Sequence, residues 1–112
     1  TARRSRGKGK QGNDVACGFL DETGFSSVER NLYRRCGEID SIAFKEDVLH
    51  FVEVKSGLDY GSAIQNITPS KLSKFIKTTH VYLKKNALEV DFMIDAIVVT
   101  PEKIWHVENI TL

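Results

Sequence analysis

Apolar and polar residues alternate in two stretches that lie on either side of a short charged segment. Residues 37–44 and 48–55 are rich in β-branched and aromatic side chains, whereas Lys45, Glu46 and Asp47 between them are charged. Alternation on both sides of a polar tip is typical of a β-hairpin. The sequence therefore predicts a hairpin over this region, with Glu46 and Asp47 at its tip.

Helices are predicted before and after the hairpin. The first starts at about residue 9 or 11 and ends at residue 22, shortly before a glycine at position 24. The second starts after Thr68 and extends to about residue 85. Threonine is a good N-cap, and Pro69 suits the first helical position. Apolar residues recur with helical spacing in both segments.

Three more strands complete the predicted order of elements. Strand-like patterns cover residues 25–33, 90–99 and 103–108, and residues 56–67 are predicted to form a loop. The order of elements is then α-β-β-β-α-β-β. This order predicts an α/β domain with a mixed central sheet flanked by helices.

The composition is that of an ordinary globular domain. The 112 residues are 41% apolar and 28% charged, which suits one domain with one core. No apolar run approaches ~18 residues and none follows the basic N-terminus, so we expect neither a membrane span nor a secretory signal. Cys17 and Cys36 form no CxxC motif, which favours two free thiols in a reducing cytoplasm over a disulfide.

The net charge of +1 hides a basic N-terminus. Residues 1–10 carry five basic side chains, Arg3 and Arg4 among them, and no acid, so the rest of the chain has a net charge of −4. We predict a flexible basic arm over residues 1–11, followed by a domain over residues 12–112. The arm either contacts phosphates or is a disordered solubilising tail.

The predicted hairpin brings two acids and a lysine together. Counting back from the tip places Asp40 directly opposite Glu53, with Cβ atoms ~4.5–5.5 Å apart, and alternation puts Lys55 on the face of Glu53. Two carboxylates this close repel each other unless a cation lies between them. Mg²⁺ binds one or two carboxylates together with other oxygen atoms, so Asp40, Glu53 and the Val54 carbonyl are candidate ligands. Lys55 would then assist an attacking water. The alternative is an ordinary ion pair between Glu53 and Lys55 at a strand end.

Three other charged residues have candidate roles. Lys71 and Lys74 lie on the lysine-rich side of the second helix, which is either solvated or in contact with phosphates. Lys71 lies at the helix start, nearest the loop after the hairpin. Asp95 lies in a strongly apolar strand, and we expect it to need a buried partner because an unpaired carboxylate is costly in a core.

The histidines and two aromatic residues have weaker claims to a functional role. His50, His80 and His106 show no ligand spacing, and we expect none of them to bind a metal. Tyr60 and Trp105 either stack on nucleic-acid bases or pack within the protein.

Several segments together resemble one known family. They are GEID at 37–40, FVEVK at 51–55, Asn31 with the pair Arg34 and Arg35, Tyr60 and Gly61 followed by ITPSK at 67–71, Asp95 before AIVV, and HVEN at 106–109. In these features, and over nearly its whole length, the chain resembles the YraN-type family of small bacterial proteins. That family is similar to Holliday-junction resolvases and belongs to the PD-(D/E)xK nuclease superfamily.

The resemblance implies a restriction-endonuclease-like core that cleaves DNA. Asp40, Glu53 and Lys55 match the catalytic positions, and the cofactor would be a divalent metal, Mg²⁺ or Mn²⁺. Arg34 and Arg35 would contact DNA together with the lysines of the second helix and the basic arm. Resolution of a four-way junction needs two sites, which implies a homodimer.

Two departures from the family pattern bear on activity. The family's first helix carries an acid where Asn13 stands, and Asp14 points ~100° away from that position. Met93 stands where the family has an arginine. Because an amide offers a metal only one neutral oxygen, the sequence leaves two alternatives to an active endonuclease. One is a catalytically weak nucleic-acid-binding module; the other is an interaction scaffold without nucleic acid.

Overall fold

The hairpin forms the centre of a five-stranded sheet in the computed structural model, which describes residues 2–111, with side chains from residue 11 onwards. In chain order the elements are α1 (Ala2–Glu22), β1 (Ser26–Arg34), β2 (Gly37–Lys45), β3 (Val48–Ser56), α2 (Tyr60–Ile64), α3 (Pro69–Lys85), β4 (Asp91–Val99) and β5 (Ile104–Val107). Apart from the short α2, these elements follow the predicted order.

The sheet is mixed, with strands in the order β1-β2-β3-β4-β5. β3 and β4 are parallel, and each of the other neighbouring pairs is antiparallel. A parallel pair needs a long crossover connection, which α2 and α3 provide. The predicted fold class is therefore confirmed: an α/β fold with a mixed central sheet flanked by helices, as in a restriction-endonuclease-like core.

Each face of the sheet carries its own core cluster. On one face α1 contributes Ala16 and Leu20, which pack with Phe25, Ala43, Val52 and Ile97. On the other face α3 contributes Phe75, Tyr82 and Leu83, which pack with Leu32, Ile39, Ile42, Leu49, Phe51 and Ile94. Burying one large apolar side chain contributes ~1.5–3 kcal/mol, so the two clusters hold the sheet firmly between α1 and α3.

Both ends of α3 agree with the prediction. Thr68 is the N-cap, and its hydroxyl oxygen accepts a hydrogen bond from the N–H of Lys71 at 3.2 Å. Pro69 is the first helical residue, and the helix ends at Lys85. The cap fixes the start of α3 beside the loop that follows β3.

α1 begins earlier than predicted. Its backbone is helical from Ala2, so the helix extends through the segment that the sequence predicts as a flexible arm. Arginine, lysine and glutamine have favourable helix propensities, which offset the two glycines in this segment. The side chains of Arg3 and Arg4 lie outside the described residues, and so do their predicted contacts with DNA.

The loop predicted over residues 56–67 contains the short helix α2. Asp59 is its N-cap and accepts a hydrogen bond from the N–H of Ser62 at 2.9 Å. Ala63 packs so closely on Gly57 that a Cβ at position 57 would lie 3.0 Å from the Ala63 Cβ. A helix of five residues is too short to produce a periodic apolar pattern, which explains why the sequence did not predict it.

Two predictions from composition can be compared with the structure. Cys17 and Cys36 are both free, as predicted. Within residues 2–111, no helix is both long enough and apolar enough to cross a membrane.

Candidate metal centre

The ladder between β2 and β3 follows the predicted register but ends one pair before Asp40. Pairing runs from the hairpin tip to Ser41 opposite Val52. The prediction that Asp40 pairs directly with Glu53 is therefore wrong. Instead, Oδ2 of Asp40 accepts a hydrogen bond from the backbone N–H of Val54 at 2.7 Å.

A bend in β2 at Asp40 explains why the ladder ends there. Ile39 and Ile42 pack in the same core cluster, although strict alternation would put residues three apart on opposite faces. On β1, Asn31 lies between the two residues that pair with Ser41 and Ile39, and it has a left-handed φ of 51°. Both strands are therefore irregular at the point where the ladder between β2 and β3 ends.

The bend places the Asp40 carboxyl in a buried and negative environment. Burial raises the pKa of Asp40, the hydrogen bond from Val54 lowers it, and the charges of Glu53 and Glu38 raise it again. Lys55 lowers it only slightly, and the resulting pKa is about 6. This carboxyl therefore carries unfavourable charge interactions that a bound cation would relieve.

Glu53 and Lys55 lie on the same face of β3, as predicted. Lys55 Nζ is 3.2 Å from Glu53 Oε1, and the two side chains are only 22% and 13% exposed, respectively. The second carboxylate oxygen, Glu53 Oε2, is buried and has no hydrogen-bond partner among the described residues. A buried carboxylate oxygen without a partner is costly, and a divalent cation between Glu53 and Asp40 would satisfy it.

Val54 offers a third oxygen beside these carboxylates. Its N–H points towards Asp40, and the N–H and C=O of one strand residue face the same neighbouring strand. Because the β2 ladder has already ended, the Val54 carbonyl faces the gap next to Asp40. Two carboxylates and one carbonyl are oxygen ligands of the type that Mg²⁺ and Mn²⁺ prefer, so the residues present fit a hard divalent cation.

α1 approaches the end of β3 at Gly12, next to the side chains of Val54 and Ser56. A Cβ at Gly12 would lie 2.5 Å from the Ser56 hydroxyl, so α1 lies close to the end of β3. Asn13 Nδ2 donates a hydrogen bond to Asn31 Oδ1 at 3.0 Å, which ties the helix to β1 at its left-handed residue. Asp14 forms an ion pair with Arg30 instead, as expected for a side chain that points away from Asn13.

Two residues near the site were not singled out as functional from the sequence. Asn31 has a role only through its left-handed backbone and its contact with Asn13, neither of which a strand pattern reveals. Glu38 is exposed and adds to the negative charge around Asp40. Its position two residues before Asp40 on the same strand could have indicated this role, because alternate residues of a strand share a face.

The residues predicted to contact DNA are not all equally placed. Lys71 and Lys74 are exposed near the start of α3, and Arg35 is exposed in the turn between β1 and β2. Arg34 is partly buried, and its Nη1 donates a hydrogen bond to the Tyr33 carbonyl at 2.9 Å. Among the described residues, the charged groups of three of these side chains are therefore exposed to solvent: Lys71, Lys74 and Arg35. The guanidinium of Arg34 instead forms a hydrogen bond within the protein.

Asp95 lies in a separate cluster on the α1 face, and the prediction that it needs a buried partner is confirmed. Its Oδ2 accepts hydrogen bonds from His50 Nδ1 at 2.5 Å and His106 Nε2 at 2.7 Å, and its Oδ1 accepts the N–H of Asn109 at 3.0 Å. Burial raises the pKa of Asp95, but these hydrogen bonds outweigh burial, so the pKa lies below its ordinary value.

The same cluster has the residue types of a metal site. The ligating atoms of His50, Asp95 and His106 lie within 4.8 Å of one another, a proximity that their spacing in sequence did not indicate. Ligands of one tetrahedral metal lie ~3.3 Å apart, given metal–nitrogen bonds of ~2.0–2.1 Å. The shorter nitrogen–oxygen distances of 2.5 and 2.7 Å are those of hydrogen bonds, and we interpret the cluster as a structural network.

Comparison with known proteins gives the family of the chain. The model of "Uncharacterised protein family UPF0102" matches residues 12–99. A UPF0102 protein of Sulfurimonas denitrificans is 67% identical over 108 residues, which cover 96% of this chain and 99% of the relative. UPF0102 proteins of Helicobacter pylori strain P12 and of Sulfurovum sp. strain NBC37-1 are 50% and 43% identical, over 96% and 93% of this chain and 94% and 93% of those relatives. The chain therefore belongs to the uncharacterised protein family UPF0102, the YraN family that its motifs indicate.

Proposed function

We propose that this protein is a metal-dependent DNA endonuclease that hydrolyses phosphodiester bonds at the end of β3. The observation that carries the proposal is the buried, unpartnered Oε2 of Glu53 beside an Asp40 carboxyl whose pKa is raised to about 6. A stable fold retains such unfavourable groups only where something offsets their cost, and functional sites are the usual place.

Asp40, Glu53 and the Val54 carbonyl would hold Mg²⁺ or Mn²⁺. The hydrogen bond from Val54 to Asp40 fixes one carboxylate, and the contact with Lys55 orients the other. When bound, the divalent ion supplies Lewis acidity to the phosphodiester. The protein contributes the position of the ligands and the exclusion of bulk water from the buried side of the site.

Lys55 supplies a positive charge next to the reacting phosphate. Its ammonium lies 3.2 Å from Glu53 Oε1 and is largely shielded from solvent, so its charge is screened less than that of a surface lysine. In this position it orients the attacking water and stabilises the negative charge that develops on the phosphate oxygens. Removal of the lysine should therefore slow cleavage more than it weakens DNA binding.

The basic surfaces supply affinity for the DNA backbone. Lys71 and Lys74 are exposed on α3, and Arg35 is exposed in the turn before β2. Each phosphate contact releases counterions, so binding should weaken steeply as salt increases. Deletion of residues 1–10, which carry five basic side chains, should flatten that salt dependence if this segment contacts phosphates.

A second candidate function is binding of nucleic acid without cleavage. It is favoured by Asn13, whose amide is engaged with Asn31 and offers a metal no negative charge. A protein with this substitution would keep the fold and the basic surfaces but bind the metal more weakly.

Cleavage assays separate the two functions. The purified protein is incubated with duplex, single-stranded, flap and four-way-junction DNA in Mg²⁺ or Mn²⁺, beside the variants Glu53→Gln and Lys55→Ala. The matched controls are Glu89→Gln and Lys84→Ala, which change exposed residues away from the metal centre. We expect metal-dependent cleavage by the wild type and both controls, and at least a 100-fold loss in Glu53→Gln and Lys55→Ala.

The outcomes that contradict the proposal are specific. Binding without cleavage in either metal supports the second function. Cleavage that persists unchanged in both site variants means that the activity comes from elsewhere. If cleavage favours the four-way junction, the protein acts as a pair of sites, and sedimentation should find a dimer on that DNA.

A further inference from the structure

An aromatic pair lies on the face of the sheet that carries Glu53 and Lys55. Tyr60 is the first residue of α2 and Trp105 lies in β5, with ring centroids 5.2 Å apart and planes inclined by 57°. Both side chains are partly exposed. Neither ring belongs to the two core clusters formed by the described residues, so packing in the core does not account for the pair.

The register of the sheet relates this pair to the metal centre. Lys55 on β3 pairs with Val98 on β4, and Val98 pairs in turn with Trp105 on β5. Directly paired residues share a face, so Lys55 and Trp105 project on the same side of the sheet. Two strand spacings of ~4.8 Å put their backbones ~9.6 Å apart, which is about three stacking steps of ~3.4 Å along a nucleic-acid strand.

A lysine side chain lies over the face of the indole ring. Lys103 Nζ lies 5.4 Å from the centroid of the Trp105 ring, and Lys103 is itself exposed. An exposed ammonium binds a ring face weakly, and a nucleobase stacks on it more strongly. A base can therefore displace Lys103 from the ring, and the released ammonium is then free to contact a neighbouring phosphate.

From these positions we infer that Trp105 and Tyr60 form a stacking subsite for an unpaired DNA base next to the metal centre. The inference rests on the proposed function and deepens it, since it names the substrate class as DNA with single-stranded nucleotides adjacent to the cleaved bond. Bases inside a duplex are already stacked and do not present a free face to a side chain. Recognition by stacking tolerates any base sequence because every base has a π-face.

Intrinsic fluorescence tests this subsite directly, because Trp105 is the single tryptophan of the chain. A twelve-nucleotide thymidine oligomer and a blunt duplex of equal length are titrated into the protein in EDTA, which prevents cleavage. Binding of both is followed in parallel by the anisotropy of a dye on the DNA. We expect the single strand to quench Trp105 in a saturable manner and the blunt duplex to leave it nearly unchanged.

Variants measure how much the rings contribute to binding. Trp105→Leu is expected to lower affinity for the single strand by about 5- to 150-fold, whereas Trp105→Phe, which keeps an aromatic face, recovers most of it. Tyr60→Leu should show a smaller loss in the same direction. The control is Tyr33→Leu, which removes a 67% exposed aromatic residue from β1. Circular dichroism confirms that each variant is folded.

The subsite and the proposed function fail in different ways. If anisotropy shows binding of the single strand while Trp105 fluorescence stays constant, or if folded Trp105→Leu binds as tightly as the wild type, the subsite is disproved. Metal-dependent cleavage of other DNA would still support the endonuclease. If Trp105 is quenched but no metal supports cleavage, the subsite is upheld and the endonuclease is not. Absence of any DNA binding at low salt overturns both.

Discussion

Asp40 and Val54 are joined by a 2.7 Å hydrogen bond that takes the place of the next rung of the β2–β3 ladder. A side-chain carboxylate thus replaces a backbone acceptor at the point where two strands separate. This bond holds an acid of raised pKa over the end of β3. Several consequences of the arrangement can be measured.

Metal affinity should rise as the pH increases through about 6. The pKa of Asp40 is raised to about 6, and only the ionised carboxylate is a good ligand for a hard cation. Between pH 5 and pH 7 we expect the Mn²⁺ association constant to increase about tenfold, as measured by calorimetric titration. Asp40→Asn should bind weakly, with little dependence on pH in this range. A flat profile for the wild type would exclude Asp40 as a ligand.

The same carboxyl should affect stability in the absence of metal. Its folded-state pKa of about 6 lies above the ordinary 3.8, so the folded state binds this proton more tightly than the unfolded state. The resulting stabilisation is fully present below pH ~4 and is lost as the pH rises through about 6. At pH 7, metal-free Asp40→Asn should be more stable than the wild type by on the order of 1–3 kcal/mol.

Urea denaturation in EDTA at pH 5 and pH 7 checks this expectation for Asp40→Asn. The advantage of the variant should be smaller at pH 5, where the wild type still carries most of the proton. A variant that is less stable than the wild type at both pH values would contradict it.

Replacement of Asn13 by glutamate should strengthen the metal centre. Asn13 lies on α1 directly after Gly12, where the helix approaches the end of β3, and the substitution exchanges a neutral amide for a carboxylate. Despite loss of the hydrogen bond to Asn31, we expect Mn²⁺ affinity to rise roughly tenfold, because a third charged ligand adds about 1.4 kcal/mol or more.

The matched control for that substitution is Gln11→Glu. It adds the same charge to the same helix at an exposed position two residues earlier. Equal gains in the two variants would mean that only the net charge matters and that Asn13 has no special place in the site.

Asp95 should be essential for the stability of the sheet. Asparagine at this position has one acceptor oxygen, so it cannot accept from both histidines and also from the N–H of Asn109, which would face an NH2 donor instead. We expect Asp95→Asn to lower the free energy of unfolding by about 3–5 kcal/mol at pH 7, measured by chemical denaturation. Asp91→Asn, at an exposed position of the same strand, should change it by less than about 0.5 kcal/mol.

The pH dependence of the Asp95 effect follows from its lowered pKa. A depressed folded-state pKa gives stability that is present above the ordinary value of 3.8 and is lost as the pH falls through the folded-state value. The deficit of Asp95→Asn should therefore shrink in acid. A deficit that stays constant down to the acid transition would mean that packing alone explains it.

Local patterns predicted the elements whose causes are local. The hairpin register follows from the polar tip at Glu46 and Asp47, and the start of α3 follows from Thr68 and Pro69. Alternation also predicted correctly that Glu53 and Lys55 share a face. Each of these features depends on neighbours in sequence, which a pattern can register.

The features that the sequence did not predict depend on contacts between distant segments. The bend at Asp40 accompanies the distortion of β1 at Asn31, and a strand pattern assumes regular alternation through both. The cluster around Asp95 joins His50 on β3 to His106 and Asn109 in the C-terminal segment. The spacing of these residues along the chain does not indicate that they are in contact until the order of the strands is known.

The change of partner within β3 also has a consequence for the order of folding. From Val48 to Val52 the strand pairs with β2, across a tight turn, as well as with β4. Beyond Val52 its ladder partner among the described residues is β4 alone, and the paired residues are 43 positions apart in sequence. Distant pairings form late because closing a long loop costs entropy before any contact offsets it. Glu53 and Lys55 thus lie on the half of the strand that is ordered last, so a nascent or partly folded chain has its hairpin before the residues of the proposed metal centre come together.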